Sequence, residues 1–297
     1  MALVGPLLWG LSGTVAQDLF ENEGFSSGWL VTMRLLVSGI LLLLIRNFRK
    51  NPQEIWSAWK SVGITKLLIF GILGMLGVQY TYFAAIQTGN AATAALLQYM
   101  APLFIIIYLA ARYKKVPKIQ EFLVMLLALL GILLLVTSGS THELYVPIIA
   151  VVWGLISALA LAFYTMYSST LLEVLGADII IGWGMVIGGI GLSVVSPPWN
   201  IQGQHWSIVS AMFVAFIVIF GTLISFYLYI ESLRYITPTE ASLLGSAEPL
   251  AATISSVIWL HVAFNTFQAI GALLVTTAVI MIALLKSDDK EEVECSN

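Results

Sequence analysis

Charged residues are scarce in this sequence. Asp, Glu, Lys and Arg make up 10% of its 297 residues, whereas soluble proteins carry about 25%. Apolar residues account for 59%, and the mean hydropathy is +0.95. Apolar runs of about 20 residues, the length that a helix needs to cross a bilayer, follow one another along the chain. The composition therefore excludes an ordinary soluble domain and predicts a polytopic membrane protein.

Residues that support catalysis are also few. The single cysteine, Cys295, excludes an intramolecular disulfide and a cysteine metal cluster. The sequence has no phosphate-binding GxxxxGK[ST] motif, so direct use of ATP is not predicted. Gly10-Leu11-Ser12-Gly13 matches the GxSG pattern of intramembrane serine proteases, but no histidine lies at mid-membrane and no lysine lies in the interior of a predicted span to activate the serine. We predict that the chain is not an enzyme, with no cofactor, no metal and no nucleic-acid partner.

Ten apolar segments have the length and composition of membrane-spanning helices. They are 2–20, 28–46, 66–87, 91–111, 118–137, 146–169, 178–196, 207–231, 239–260 and 265–286. The amino terminus has no basic region before its apolar run, so the first segment is predicted to be a span and not a cleaved signal.

Lysine and arginine are distributed unevenly between the two sides of this arrangement. They accumulate in the loops after spans two and four and beyond span ten, and they are absent from the five loops on the opposite side. Basic residues favour the cytoplasmic side of a membrane. We therefore predict a multi-pass protein of the plasma membrane, the cytoplasmic membrane in a bacterium, with both termini in the cytoplasm.

One pattern of 22 residues occurs twice, at 82–103 and at 229–250, at an offset of 147. Each copy contains the end of an apolar helix, a tight polar turn and a second helix with a proline near its middle. A proline removes a backbone hydrogen bond, and a free carbonyl at membrane depth is tolerated only beside protein or a wet cavity. We therefore expect Pro102 and Pro249 to kink their helices and to face inward.

The repeat extends to the first span of each half, where Trp9-Gly10-Leu11 recurs as Trp153-Gly154-Leu155. Because five spans precede the second copy, it crosses the membrane with the opposite polarity. Inverted repeats of this kind place a substrate site near the midplane, at the repeat interface, and support alternating access. The predicted fold is an all-α polytopic membrane protein with ten transmembrane helices in two inverted five-helix repeats.

Three stretches carry a resemblance to a known family: WGLSG in span one, QYMAPLF in span four and AEPLAATISSVIWLHVAFNTFQAIGALL across spans nine and ten. With the five-plus-five arrangement, they resemble the EamA-type transporters of the drug/metabolite transporter (DMT) superfamily. The resemblance implies one EamA-like five-helix repeat at 1–138, a second, inverted one at 145–286, and an acidic cytoplasmic tail at 287–297. It also implies that the same-numbered spans of the two repeats line a central cavity.

Glu248 is the most informative polar residue. It lies nine residues from the start of span nine at Thr239, about 14 Å at the helical rise and so near the membrane midplane. A carboxylate there costs about 3 kcal/mol on insertion scales and faces the bundle interior. It is a candidate to hold a substrate amine or to carry a coupling proton. The alternative is a structural acid that hydrogen-bonds the carbonyl freed by Pro249.

Other residues are predicted to surround the same site. Gln98 lies one turn from Pro102, and it can bind substrate or join helices through its amide. Aromatic or polar residues on inward faces complete the set, although ordinary helix packing accounts for any single one of them. The remaining candidates for substrate binding or coupling are Gln79, Tyr82, Trp9, Trp153, Tyr164 and Tyr229.

Arg34 and Asp18 lie in the first two spans, close to the short outer connection at 21–27. These spans are antiparallel neighbours, and Arg34 is too deep for its guanidinium to reach the outer surface easily. We expect a structural ion pair between Asp18 and Arg34, with anion binding by Arg34 as the alternative.

The resemblance implies a secondary active transporter, most commonly an exporter, that moves small organic metabolites such as amino acids or amines by alternating access. Its expected partners are a small-molecule substrate, the lipid bilayer and protons as coupling ion. One alternative is a broad-specificity efflux pump for cationic drugs. Others are a passive channel-like facilitator and a membrane scaffold without transport activity. The sequence does not predict the oligomeric state.

Overall fold

The structure, a computed structural model, describes residues 3–49, 52–114, 119–140, 145–172, 174–232, 244–245, 247–263 and 265–295. Its regular elements are all helical. They are α1 Val4–Asn22, α2 Ser27–Arg49, α3 Pro52–Ser61, α4 Ile64–Thr88, α5 Ala91–Gln98, α6 Ala101–Tyr113, α7 Ile119–Thr137, α8 Ile148–Leu172, α9 Ala177–Ser193, α10 Ile208–Val218 with its continuation to Ser232, α11 Ala247–Ile258 and α12 Thr266–Cys295.

Each of the ten predicted spans contains at least one of these helices, and span four contains two, α5 and α6. Five stretches are long and apolar enough to cross a membrane: Ser27–Phe48, Ile64–Thr88, Ala91–Tyr113, Ile148–Leu172 and Ile208–Tyr229. Shorter apolar helices occupy the predicted spans five, seven, nine and ten. The last helix continues beyond the predicted end of span ten, into the first part of the acidic tail.

The helices pack in a pattern that follows the repeat. Under the offset of 147, α1 corresponds to α8, α2 to α9, α4 to α10, the α5–α6 pair to α11, and α7 to α12. Two helices pack against their own counterparts, α2 on α9 and α7 on α12. The first helix packs on α10 and α11, while its counterpart α8 packs on α4 and on the α5–α6 pair. Exchanging the two repeats therefore reproduces these principal contacts, as expected for a pseudo-twofold arrangement.

Two local distortions recur at the repeat offset. The backbone is π-helical at Phe70–Leu76 in α4 and at Ile219–Ile224 in α10. Lys114 and His261, one offset apart, both have φ of 51°, a left-handed conformation that residues with a side chain seldom adopt. A π-helical turn changes which backbone groups are bonded and often marks a functional site.

The break in span four differs from the predicted kink. Helix α5 ends at Gln98, and Pro102 is the second residue of a new helix, α6. Proline fits the first helical turn because its missing N–H would have no intrahelical partner there. Pro249 is likewise the third residue of α11. Pro102 thus begins a helix where we expected it to bend a continuous one. For Pro249 the comparison stops at residue 246, which lies outside the described residues, as does the polar turn of the second repeat at 237–239.

Candidate substrate-binding site

A cavity of about 430 Å³ lies between the two repeats. Small-molecule sites in proteins commonly have volumes of this order. Most of the residues named from the sequence line it. They are Trp9, Arg34, Gln79, Tyr82, Gln98, Pro102, Tyr164, Tyr229 and Glu248. Because the lining comes from both repeats, a movement of one repeat against the other would change the cavity's shape.

The cavity extends towards one end of the bundle. Its lining residues in α8 begin at Leu161 and end at Leu172, the last residue of that helix. In α10 the lining residues Phe226 and Tyr229 lie in the final turns, on the same side of the membrane. We call this side the open end.

The opposite side, which we call the closed end, is held together by contacts between the two repeats. Trp29 Nε1 donates a hydrogen bond of 2.9 Å to the carbonyl of Pro198. The rings of Phe25, Trp29 and Trp206 pack edge to face, with centroids 5.0 to 5.5 Å apart. Further hydrogen bonds across this end join Thr32 to Ser196 and His205 to Glu23.

Glu248 is the second residue of α11 and is partly accessible from the cavity. Its carboxyl group interacts electrostatically with Arg34 and lies against the side chain of Tyr82. The Tyr82 hydroxyl is buried, and its geometry falls short of a completed hydrogen bond with any described residue. The carboxylate predicted at mid-membrane thus shares the cavity wall with a cation and with a hydroxyl group that can still donate.

Arg34 is buried in the cavity wall, with 2% of the residue's surface exposed. Its Nε donates to Thr222 Oγ1 at 2.9 Å and its Nη2 to the carbonyl of Gly221 at 3.2 Å, both in the π-helical part of α10. The guanidinium carbon lies 4.3 Å from the centre of the Phe83 ring, a cation–π distance. Its Nη1 has no hydrogen-bond partner among the described residues.

The predicted ion pair between Asp18 and Arg34 is wrong. Asp18 accepts a hydrogen bond of 2.8 Å from Asn22, one turn further along α1, while Arg34 turns towards α10. The reason is the π-helical turn, which presents a carbonyl and a threonine hydroxyl to the guanidinium inside the bundle. The carboxylate that acts on Arg34 is Glu248, from the second repeat.

The two glutamines line the cavity from α4 and α5. Gln98 donates from Nε2 to Ser157 Oγ at 2.5 Å and so joins α5 to α8. That contact supports the structural alternative for Gln98, although the residue remains part of the cavity wall. Gln79 is also buried in the wall, with 5% of its side chain exposed.

Aromatic rings form much of the wall. The Trp9 ring lies 4.9 Å from that of Phe226 and 5.3 Å from that of Tyr229. The Tyr164 ring stacks on Phe70 at 5.4 Å. Trp9 Nε1 is buried without a hydrogen-bond partner among the described residues. These rings provide an apolar surface with a few polar groups that can contact a ligand.

Trp153, the repeat counterpart of Trp9, does not line the cavity. It packs edge-on against Tyr80, with ring centroids 5.8 Å apart. The inverted polarity of the repeats explains the difference: Trp153 lies near the start of α8, towards the closed end, whereas Trp9 faces the cavity near the start of α1. Trp153, a candidate site residue from the sequence, therefore lies outside this cavity in the conformation that the structure shows.

The polar contacts made by Gly221 and Thr222 were missed from the sequence. Backbone pairing inside a π-helical turn leaves no pattern in hydrophobic periodicity. One signal was present, since Gly74 and Gly221 are separated by the repeat offset of 147 and each lies in a π-helical turn.

Comparison with known proteins identifies the class. A model of the EamA-like transporter family matches residues 1–137 and again 148–284. A relative in Salmonella typhimurium, named "Uncharacterized inner membrane transporter YicL", is 34% identical over 95% of this chain and 93% of its own. "Uncharacterized transporter YyaM" of Bacillus subtilis is 23% identical over 92% of this chain and 90% of its own.

A solved crystal structure shares the fold, with a TM-score of 0.60 at 18% identity over 96% of this chain and 95% of that one. The chain belongs to the EamA-like transporter family, part of the DMT superfamily. It is an all-helical, multi-pass membrane transporter of the inner (cytoplasmic) membrane, built from two EamA repeats, and not an enzyme. Its partners are therefore a small-molecule substrate and the bilayer.

Proposed function

We propose that the protein is a secondary active exporter of small organic metabolites such as amino acids or amines, that it works by alternating access, and that protons are its coupling ion. The observation that carries the proposal is the cavity itself. It contains Glu248 beside Arg34, and residues of both repeats form its wall.

The asymmetry of the two ends supports a carrier over a channel-like facilitator. A channel needs a continuous path, whereas a carrier exposes its site to one side at a time. Here the cavity extends towards the open end, and aromatic packing and hydrogen bonds hold the two repeats together at the other. In the orientation that the loop charges predict, the open end faces the cytoplasm, as an exporter requires for loading.

Glu248 is proposed to carry the coupling proton or to hold a substrate amine. A carboxyl group surrounded by protein near the midplane can lose its proton to one side and regain it from the other when access alternates. Its neighbours are suited to this role, because Arg34 balances the carboxylate and the Tyr82 hydroxyl can approach it. Neither neighbour is an acidic group that would compete for the proton.

A broad-specificity pump for cationic drugs is the second candidate, favoured by the aromatic wall and by the carboxylate. Arg34 counts against it. A fixed cation in the same cavity repels a ligand that carries only positive charge, so the same argument favours amino acids over simple amines among the proposed substrates.

The test is flux into liposomes that contain purified protein, under an imposed pH gradient. Substrates are first found by thermal stabilisation across a metabolite library, since a ligand at 100 times its dissociation constant adds about 2.7 kcal/mol. We expect Glu248→Gln to keep the fold and to lose gradient-driven accumulation. Asp178→Asn is the matched control. Asp178 Oδ2 lies 2.6 Å from Arg46 Nη1, and neither residue lines the cavity. Flux in Glu248→Gln at the wild-type rate and with the wild-type pH profile would reject this role for Glu248.

A further inference from the structure

We infer that Arg34 is an anion subsite and that the cavity selects zwitterionic substrates, with the substrate amine at Glu248 and its carboxylate at Arg34. This inference rests on the proposed function and names the substrate class of the same cavity. It gives Arg34 a direct role in binding, which is the alternative that the sequence left open beside a structural ion pair.

The first argument is that the guanidinium group of Arg34 is held in place while one of its nitrogens, Nη1, has no hydrogen-bond partner among the described residues. Thr222 and Gly221 accept from Nε and Nη2, and Phe83 lies against the guanidinium plane. These contacts hold the group in one orientation. Nη1, which carries two N–H donors, has no acceptor among the described residues although Arg34 lines the cavity. An unsatisfied buried donor is costly, so a ligand oxygen at this position would remove a penalty that the empty cavity carries.

The second argument is that further unsatisfied donors lie in the same wall. Trp9 Nε1 and Tyr82 Oη are both buried without partners among the residues that the structure describes, and both residues line the cavity. A carboxylate offers two oxygens and about four lone-pair positions. A carboxylate bound at Arg34 therefore has lone pairs left for a second donor of the wall.

The third argument is the balance of charge. In the empty cavity Glu248 and Arg34 act on each other. A monoamine would pair with Glu248 and leave the buried Arg34 without its counter-charge. A monocarboxylate would pair with Arg34 and leave Glu248 without its counter-charge. Leaving a buried charge unpaired is strongly unfavourable. A ligand with both charges satisfies both groups, so it should be preferred over either singly charged analogue.

The experiment is a binding comparison on the full chain in detergent. The twenty standard amino acids are screened by thermal stabilisation, and each one that binds is compared with its decarboxylated amine and its deaminated acid. The three ligands share one side chain and differ in which of the two charged groups they carry. For the wild type we expect the amino acid to bind at least tenfold more tightly than either analogue.

The variants should move this preference in opposite directions. In Arg34→Gln the amine should bind as well as the amino acid, and in Glu248→Gln the acid should do so. Arg46→Gln is the control, because Arg46 pairs with Asp178 and does not line the cavity; its preference should stay at the wild-type value. The wild-type comparison needs no variant, so the proposal stays testable if Arg34→Gln fails to fold.

Three results would overturn the inference: no amino acid stabilises the wild type, an amine or an acid binds as tightly as its parent amino acid, or Arg34→Gln leaves the preference unchanged. These outcomes are distinct from failure of the proposed function. If only the proposed function failed, a zwitterion would still bind with the expected preference, but no gradient-driven flux would follow in liposomes.

Discussion

Gly10 sets the distance between α1 and the carboxylate of the site. A Cβ atom at this position would overlap the backbone oxygen of Glu248 and lie 2.8 Å from the Cβ of Ala251. The neighbouring atoms are mostly backbone, which cannot move away as a flexible side chain can. Glycine at position 10 is thus required for α11 to bring Glu248 into the cavity wall.

We therefore predict that Gly10→Ala lowers the free energy of unfolding by about 1–3 kcal/mol, the usual cost of overpacking, and reduces transport. The control is Gly77→Ala, because a Cβ there would have its nearest contact at an ordinary 3.6 Å. Thermal unfolding of the two purified variants measures the difference. Equal stability of Gly10→Ala and Gly77→Ala would show that the close approach of α1 and α11 is not tight.

At the residue scale, part of the site could be predicted from the sequence. The helical rise per residue and the repeat offset predicted that Glu248, Gln98 and Tyr82 belong to one site, and all three line one cavity. The partner of Arg34 could not be predicted, because it depends on a carbonyl and a hydroxyl exposed by a π-helical turn. Neither group has a signature in hydropathy or charge.

At the scale of elements, the π-helical turn of α10 is the feature that connects the two repeats at the site. Arg34 and Ser38, one turn apart on α2, bond to Thr222 and to the carbonyl of Val218 respectively. Thr222 Oγ1 also donates to the carbonyl of Ile217 at 2.8 Å. The turn is thus stabilised both from within α10 and from α2.

We predict that Thr222→Val lowers stability by about 1–3 kcal/mol, because it leaves Arg34 Nε without its acceptor. Thr222→Ser keeps the hydroxyl and should restore most of the loss. Thr276→Val is the matched control, since within the described part of the chain that hydroxyl bonds only to the carbonyl of Ala272 in its own helix. The thermal midpoints of the three proteins provide the measurement; a loss in Thr276→Val as large as that in Thr222→Val would contradict a special role for the turn.

The broken helices show a similar division between what could be predicted and what could not. The prolines at 102 and 249 predicted an interruption in each repeat, and span four is interrupted. The interruption precedes the proline, since proline is best accommodated in the first turn of a helix. Proline positions therefore indicated the presence of a break but not the residue at which α5 ends.

At the scale of the whole molecule, the helical segments and the internal repeat could be predicted, because hydropathy and the offset of 147 depend only on the order of residues. The conformational state could not. Inverted repeats allow two related states, and the structure shows one of them, with Trp9 in the cavity and Trp153 packed on Tyr80. In the opposite state, we expect Trp153 to line the cavity and Trp9 to be packed away from it.

The orientation in the membrane is a prediction that single cysteines can check in a Cys295→Ser background. We expect a membrane-impermeant maleimide added outside intact cells to label cysteines at Ser26 and Gln204 and not one at Ser57, because basic residues cluster on the side of Ser57. Labelling of Ser57→Cys from outside would reverse the orientation and, with it, the assignment of the open end to the cytoplasm.

The central claim is that the cavity opens alternately to the two sides, and its most direct test is the accessibility of two positions during transport. Ser168 lines the cavity in the half that extends towards the open end, and Thr32 is buried at the closed end, where it bonds to Ser196. Each is replaced by cysteine in the same background and labelled in sealed vesicles of known orientation.

At rest we expect Ser168→Cys to react from the cytoplasmic side and Thr32→Cys to be protected. With substrate and a pH gradient present, Thr32→Cys should become reactive from the outside while Ser168→Cys becomes less reactive. Sustained flux with Thr32→Cys always protected and Ser168→Cys unchanged would contradict alternating access through this cavity.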